Sequence, residues 1–95
     1  MPKYVATRIR HTAKGWSVQA QMADKPHDWV DLHIYKNLYP SHDPMTKVIR
    51  SMAKNEACAL AQSLSKDYDD DITCYDESGY TIVAYRHGRP RKEPT

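Results

Sequence analysis

Residues 51–68, SMAKNEACALAQSLSKDY, decide how the rest of the chain is read. Ala57, Leu60, Ala61 and Leu64 recur at i, i+3, i+4 and i+7, the spacing that lines one side of a helix. Gln62, Ser63, Ser65 and Lys66 fall mostly on the other side, and Ala, Leu, Gln and Lys are good helix formers. The stretches around it alternate with period two and need an apolar cover, which this helix supplies. The expected fold class is α+β: a curved antiparallel β-sheet of about five strands with one main helix packed on one face.

Upstream, residues 4–11 read as a first strand, with Val5, Thr7 and Ile9 on one side and Ala6, Arg8 and Arg10 on the other. Ala13-Lys14-Gly15 supplies a turn. Trp16, Val18, Ala20 and Met22 then alternate with Ser17, Gln19 and Gln21, the clearest strand pattern in the chain. After a polar connection over residues 24–28, a third strand is expected to bury Val30, Leu32 and Ile34 and to expose Trp29, Asp31, His33 and Tyr35. Residues 36–44, KNLYPSHDP, hold two prolines and are expected as a loop. Asp43-Pro44 is a good N-cap and first-turn pair, and Met45, Val48, Ile49 and Met52 have helical spacing. Their stripe is offset from the Ala57–Leu64 stripe by roughly a quarter turn. Two readings stay open: one wide or bent helix from Pro44, or a short strand over residues 46–52 entering the helix.

Asp is a poor helix former and is repelled by the helix C-terminus, so the helix is expected to stop in the run at residues 67–71. Residues 72–75 and 80–85 then read as a hairpin across Asp76-Glu77-Ser78-Gly79. Residues 1–86 form one domain, and residues 87–95 a basic, flexible tail.

Composition narrows the function classes. With 95 residues, 40% hydrophobic and 27% charged, the chain is one ordinary globular domain. There is no Phe; seven Tyr and two Trp supply rings with polar edges, suited to the rim of a core or to a contact surface. The start, MPKYVATRIR, lacks an apolar leader core, and no apolar run reaches membrane-spanning length, so neither export nor membrane insertion is expected. Cys58 and Cys74 lie far apart in sequence and are expected as reduced thiols of a cytoplasmic protein.

No catalytic or metal signature stands out. The alternating Asp67, Asp69 and Asp71 fail as a calcium loop, since Ile72 and Ser78 stand where Gly and a bidentate Glu are needed. None of the five His is paired at zinc spacing, and no cofactor is expected. Charge, however, is unevenly spread around a net +2. Lys3, Arg8, Arg10 and Lys14 make the first residues basic, and Arg86, Arg89, Arg91 and Lys92 do the same for the last. Between them Asp69, Asp70, Asp71, Asp76 and Glu77 form an acidic loop suited to a basic partner. Trp29 and Tyr35, interleaved with Asp31 and flanked by Asp28 and by Tyr39 in the next loop, have the make-up of protein–protein anchors.

Two resemblances add to this. Arg86-His87-Gly88-Arg89-Pro90-Arg91-Lys92 resembles the AT-hook, whose extended Arg-Pro backbone enters the DNA minor groove. This implies a small DNA-binding accessory protein using Arg89, Arg91 and Lys92, with Arg8 and Arg10 on phosphates. Gly15-Trp16-Ser17-Val18 in an early hairpin, Glu56-Ala57 with Ala61 beyond, and a last hairpin near Gly79 resemble a class of small bacterial and phage domains. Some phage-encoded anti-CRISPR proteins share this size and layout. The resemblance implies a non-catalytic inhibitor in the bacterial cytoplasm that docks on a host protein or protein–RNA complex, such as a CRISPR surveillance complex, and blocks nucleic-acid binding.

Overall fold

The computed structural model describes residues 3–68 and 71–91. β1 (Tyr4–Thr12) and β2 (Gly15–Met22) form a hairpin, and β3 (Lys25–Lys36) extends it. A loop then leads to α1 (Met45–Tyr68), followed by β4 (Asp71–Tyr75), β5 (Thr81–Arg86) and the two-residue β6 (Arg89–Pro90). The six strands make one sheet in the order β3-β2-β1-β4-β5-β6. The α+β class with a single helix on a sheet is as expected; the strand count is one higher, and the sheet is mixed. β4 lies parallel to β1, pairing Ala6 with Thr73 and Arg8 with Tyr75, while the other neighbours are antiparallel. The cause is topological. A helix leaving the β3 edge and crossing the sheet returns the chain in β3's own direction, which is also β1's, as crossover connections do.

α1 starts where its N-cap is best. Asp43 Oδ1 accepts from the Met45 N–H at 2.9 Å, and Pro44 takes the first-turn position. From there a single helix of 24 residues runs without a break, which decides between the two readings of residues 46–52. It meets the sheet along Ile49, Ala53, Ala57, Ala61 and Ser65, spaced four apart and buried. Three alanines in that line let the backbone come close, so that the Thr7 hydroxyl donates to the Ala57 carbonyl at 2.9 Å. Ile9, Trp16, Val18, Ile72 and Cys74 face it from the strands, with Leu60 and Leu64 packed on the flank. Met45, Val48 and Met52 are exposed. Val48 and Met52 sit roughly 60–100° round the helix from the buried line, beyond the reach of the sheet.

The β1–β2 turn depends on Gly15. Its φ of 145° favours glycine, and a Cβ there would collide with the Tyr35 carbonyl oxygen on β3.

β3 departs from simple alternation. Val18 pairs with His33, but the next residue of β2, Gln19, pairs with Asp31, so Leu32 is the extra residue of a bulge. On the N-terminal side of Leu32, Trp29 and Asp31 lie on the face away from α1. On the C-terminal side the order is reversed: Tyr35 sits opposite Trp16 on the helix side, and Leu32 is 45% exposed. The expectation that Trp29 and Tyr35 share an outward face is therefore corrected, as are the burial of Leu32, the inward facing of Ile34, which pairs with Ser17 on the open face, and the outward facing of His33, which pairs with Val18.

Of the residues expected as a tail, 87–91 are tied to the sheet, and 92–95 lie outside the described residues. The chain turns at His87 and Gly88, both at positive φ (53° and 77°), and Arg89 returns opposite Arg86. Two central residues at positive φ define the tight turn that suits strand twist, and His and Gly both tolerate it. Arg91 N–H then donates to the Ala84 carbonyl at 2.6 Å.

Candidate functional site: the open face of the sheet

α1 covers one face of the sheet; among the described residues no second helix or sheet covers the other. What stands on that open face follows from the hairpin register. A two-residue turn sets Arg10 opposite Ser17 and Arg8 opposite Gln19, and β3 adds Asp31 opposite Gln19 and Trp29 opposite Gln21. The side chains of these neighbours point the same way and touch.

The result is a connected polar cluster. Ser17 Oγ donates to Asp31 Oδ1 at 2.6 Å, and Gln19 Nε2 donates to the same oxygen at 2.6 Å. Gln19 Oε1 in turn accepts from Arg8 Nε at 2.7 Å. The Arg8 guanidinium lies over the Trp29 ring, 3.9 Å from its centroid. Ser17 and Gln19 are buried, at 0% and 6% exposure, beneath this outer layer. The Ser17 hydroxyl and the Gln19 amide hold the Asp31 carboxyl below the usual carboxylate range, with Arg10 and Arg8 adding to the effect. Partial burial and the neighbouring Arg10 lower the pKa of Arg8.

The Arg10 side chain stands exposed beside this cluster and makes no side-chain hydrogen bond among the described residues. A cavity of ≈ 390 Å³ opens between Arg8, Arg10, Gln21, Trp29 and Tyr75, with Asp76 and Glu77 at its rim. On the β3 side of Arg8 and Trp29 a second hollow is lined by Lys25, His27 and Asp28. The surface thus offers one fixed ring, two guanidiniums, a preorganised carboxylate and two recesses. It can recognise groups of both signs.

The structure brings together Arg8, Arg10, Asp28, Trp29 and Asp31 from the residues singled out in the sequence, with Asp76 and Glu77 lining the same cavity, and it places Tyr35, Tyr39, Asp71, Arg89 and Arg91 elsewhere. Tyr35 is on the helix side, where its hydroxyl donates to Glu56 at 2.9 Å; burial first, then Glu56, pushes its pKa up. His33 Nδ1 meets the same carboxylate at 2.9 Å, so this group ties β3 to α1. Tyr39 is exposed in the loop before α1.

The acidic loop is largely engaged within the fold. Asp71 is bound by Arg86 at 2.7 Å and Arg91 at 3.3 Å, and Arg86 holds its carboxyl below the usual range. Asp76 Oδ1 accepts from the Ser78 and Tyr80 N–H groups, which makes it the organiser of the β4–β5 turn. Glu77 pairs with Arg50 of α1, with Arg50 Nε at 2.8 Å. Asp69, Asp70 and Lys92 lie outside the described residues.

The Gly-Arg-Pro segment is likewise part of the fold. Gly88 N–H donates to Ser65 Oγ at 2.9 Å, and its carbonyl accepts from Gln62 Nε2 at 2.8 Å. Arg89 and Arg91 therefore stand at the β6 edge, three strands from Arg8 and Arg10.

Ser17, Gln19 and Tyr75 complete the cluster and were not singled out by sequence reasoning. For the first two the signal was present: the polar half of the β2 alternation, read across a two-residue turn, falls opposite Arg8 and Arg10. Tyr75 had no such signal, because its place beside Arg8 depends on the parallel β1–β4 pairing. No family model, curated protein or solved structure matches the chain.

Proposed function

We propose that this is a non-catalytic binding protein of phage or mobile-element type, which docks its open sheet face on a host nucleoprotein complex and obstructs nucleic-acid binding there, as anti-CRISPR proteins do. The observation that carries the reading is the Arg8–Trp29 stack with Arg10 beside it and Asp31 held in place by Ser17 and Gln19. Partners that meet such a surface find its side chains already ordered, so little rotamer entropy is lost on contact. Trp and Arg are also the residues that most often dominate binding energy. Asp28, Asp31, Asp76 and Glu77 stand around the two arginines, and this mixed charge suits a surface combining protein and nucleic acid better than a bare phosphate chain.

The test is affinity purification of the protein from a bacterial lysate, with and without nuclease. Recovery of a nucleic-acid-handling complex, retained after nuclease, is the expected result. Recovery of nucleic acid alone, lost after nuclease, would overturn it.

A second reading is direct binding of a single strand by the same face. The specific observation in its favour is that Trp29 and Tyr75 flank Arg8 at the ≈ 390 Å³ cavity, where a base could stack. It would show as salt-dependent binding with a slope of about −0.7 in log K against log salt per phosphate neutralised. Duplex binding by the Gly-Arg-Pro segment has less support, since groove insertion needs an extended backbone and this one is committed to β6 and α1.

A further inference from the structure

Cys58 and Cys74 come from different elements and meet inside the fold. Cys58 is on the flank of α1, half-buried; Cys74 is fully buried in β4 and faces the helix. Their sulfur atoms are 3.4 Å apart. We propose that this pair is an oxidation site at which a peroxide converts the two thiols into a disulfide that staples α1 to the centre of the sheet.

The geometry assigns the order of events. Cys58 is the less buried of the two residues, and Lys54, one turn earlier on α1, adds a positive charge near it. Hydrogen bonding with Cys74 pushes the Cys58 thiol down to about 7, and Lys54 works in the same direction against partial burial. Cys74 is pushed up, first by its contact with Cys58 and then by burial, and stays a thiol. The less buried sulfur is thus the attacking one, and the fully buried sulfur is positioned to resolve it.

In the first step the Cys58 thiolate attacks hydrogen peroxide. An S–O bond forms as the O–O bond breaks, and hydroxide leaves, which the proton lost by Cys58 converts to water. In the second step the Cys74 sulfur attacks the Cys58 sulfenic acid. The S–S bond forms as S–O breaks, and the departing hydroxide takes the Cys74 proton as water. Two thiols and one peroxide give one disulfide and two waters, with two electrons passing from sulfur to oxygen. The sulfurs need to approach by about 1.4 Å from their present 3.4 Å to reach bonding distance. At 3.4 Å no atom fits between the two sulfurs, so nothing has to be displaced for them to meet.

The experiment uses the intact, reduced protein. It is exposed to graded hydrogen peroxide, quenched with iodoacetamide, and read by intact mass and by non-reducing peptide mapping. The expected product is a monomer that has lost two hydrogens, takes up no alkylating agent, and yields one cross-linked peptide pair containing Cys58 and Cys74. Dithiothreitol should restore both thiols, and the oxidised form should melt about 10 °C higher than the reduced form. In Cys74→Ala, Cys58 should stop at the sulfenic acid, be trapped by dimedone, and proceed to sulfinic acid in excess peroxide. Because the wild-type chain carries the primary readout, a variant that folds poorly does not blunt the test. Oxygen uptake by the wild-type protein without a cross-link would overturn the proposal. So would disulfide-linked dimers, or full alkylation after peroxide doses that oxidise a small free thiol.

Discussion

The two faces of this sheet are built by different physics. Under α1 the contacts are short and apolar: Ala53, Ala57 and Ala61 bring the helix backbone close, and Ile9, Val18, Ile72 and Cys74 fill the space between. On the opposite face Ser17 and Gln19 are just as buried, but they are held by hydrogen bonds to Asp31 and Arg8 rather than by packing. One face is held by volume, where a lost methyl leaves a void. The other is held by paired polar groups whose outer members remain free to meet something else. Substitutions on the first should therefore be felt in stability, and those on the second mainly in binding.

The largest effect is expected on the covered side. Ile72→Ala removes a fully buried side chain and should cost about 3 kcal/mol. That is a drop in Tm of more than about 10 °C for a domain of this size. Ala57→Leu should cost about 1–3 kcal/mol from overpacking, because α1 has no room to move away without losing the Thr7 contact. If both melt like the wild type, the close approach of helix and sheet is wrong.

On the open face the pattern should invert. Trp29→Ala is expected to lower stability by only about 1 kcal/mol, the scale of a partly exposed cation–π contact. It should weaken partner binding at least about 30-fold, as removal of a central aromatic anchor does. Asp31→Asn sharpens the contrast through pH. Asp31 is held below the usual carboxylate range by Ser17 and Gln19, so its contribution is complete above about pH 4 and is lost as pH falls through its depressed value. The wild-type and Asp31→Asn melting curves should differ at neutral pH and converge in acid. Arg89→Gln, at the far edge, should change neither Tm nor binding measurably.

Much of the covered face could be read in the chain. The Ala57–Leu64 spacing, the β2 alternation and the Asp43-Pro44 start each depend on near neighbours, and each is where local chemistry puts it. The open face was legible only in part. Arg8 and Arg10 follow from alternation in β1, and Trp29 and Asp31 from alternation in the first half of β3. The Leu32 bulge then reverses the pattern, because one extra residue in a strand moves every following side chain to the other face, and nothing in Asp31-Leu32-His33 announces it. Tyr35 therefore falls on the face opposite to the one that alternation predicts.

Three further features depend on how distant segments meet. The parallel β1–β4 pairing is set by the helical crossover. The Cys58–Cys74 contact joins residues that the sequence separates. The His87-Gly88 turn looks like the start of a basic tail until Ser65 and Gln62 are seen to hold it.

The most direct measurement compares wild-type protein with Arg10→Glu, an exposed substitution that removes no hydrogen bond among the described residues. Each would be immobilised at equal density and used to capture the nucleoprotein complex from nuclease-treated lysate. With melting temperatures unchanged, capture by Arg10→Glu should fall to a small fraction of wild type. Equal capture by the two proteins would contradict a contact made through the open face of the sheet.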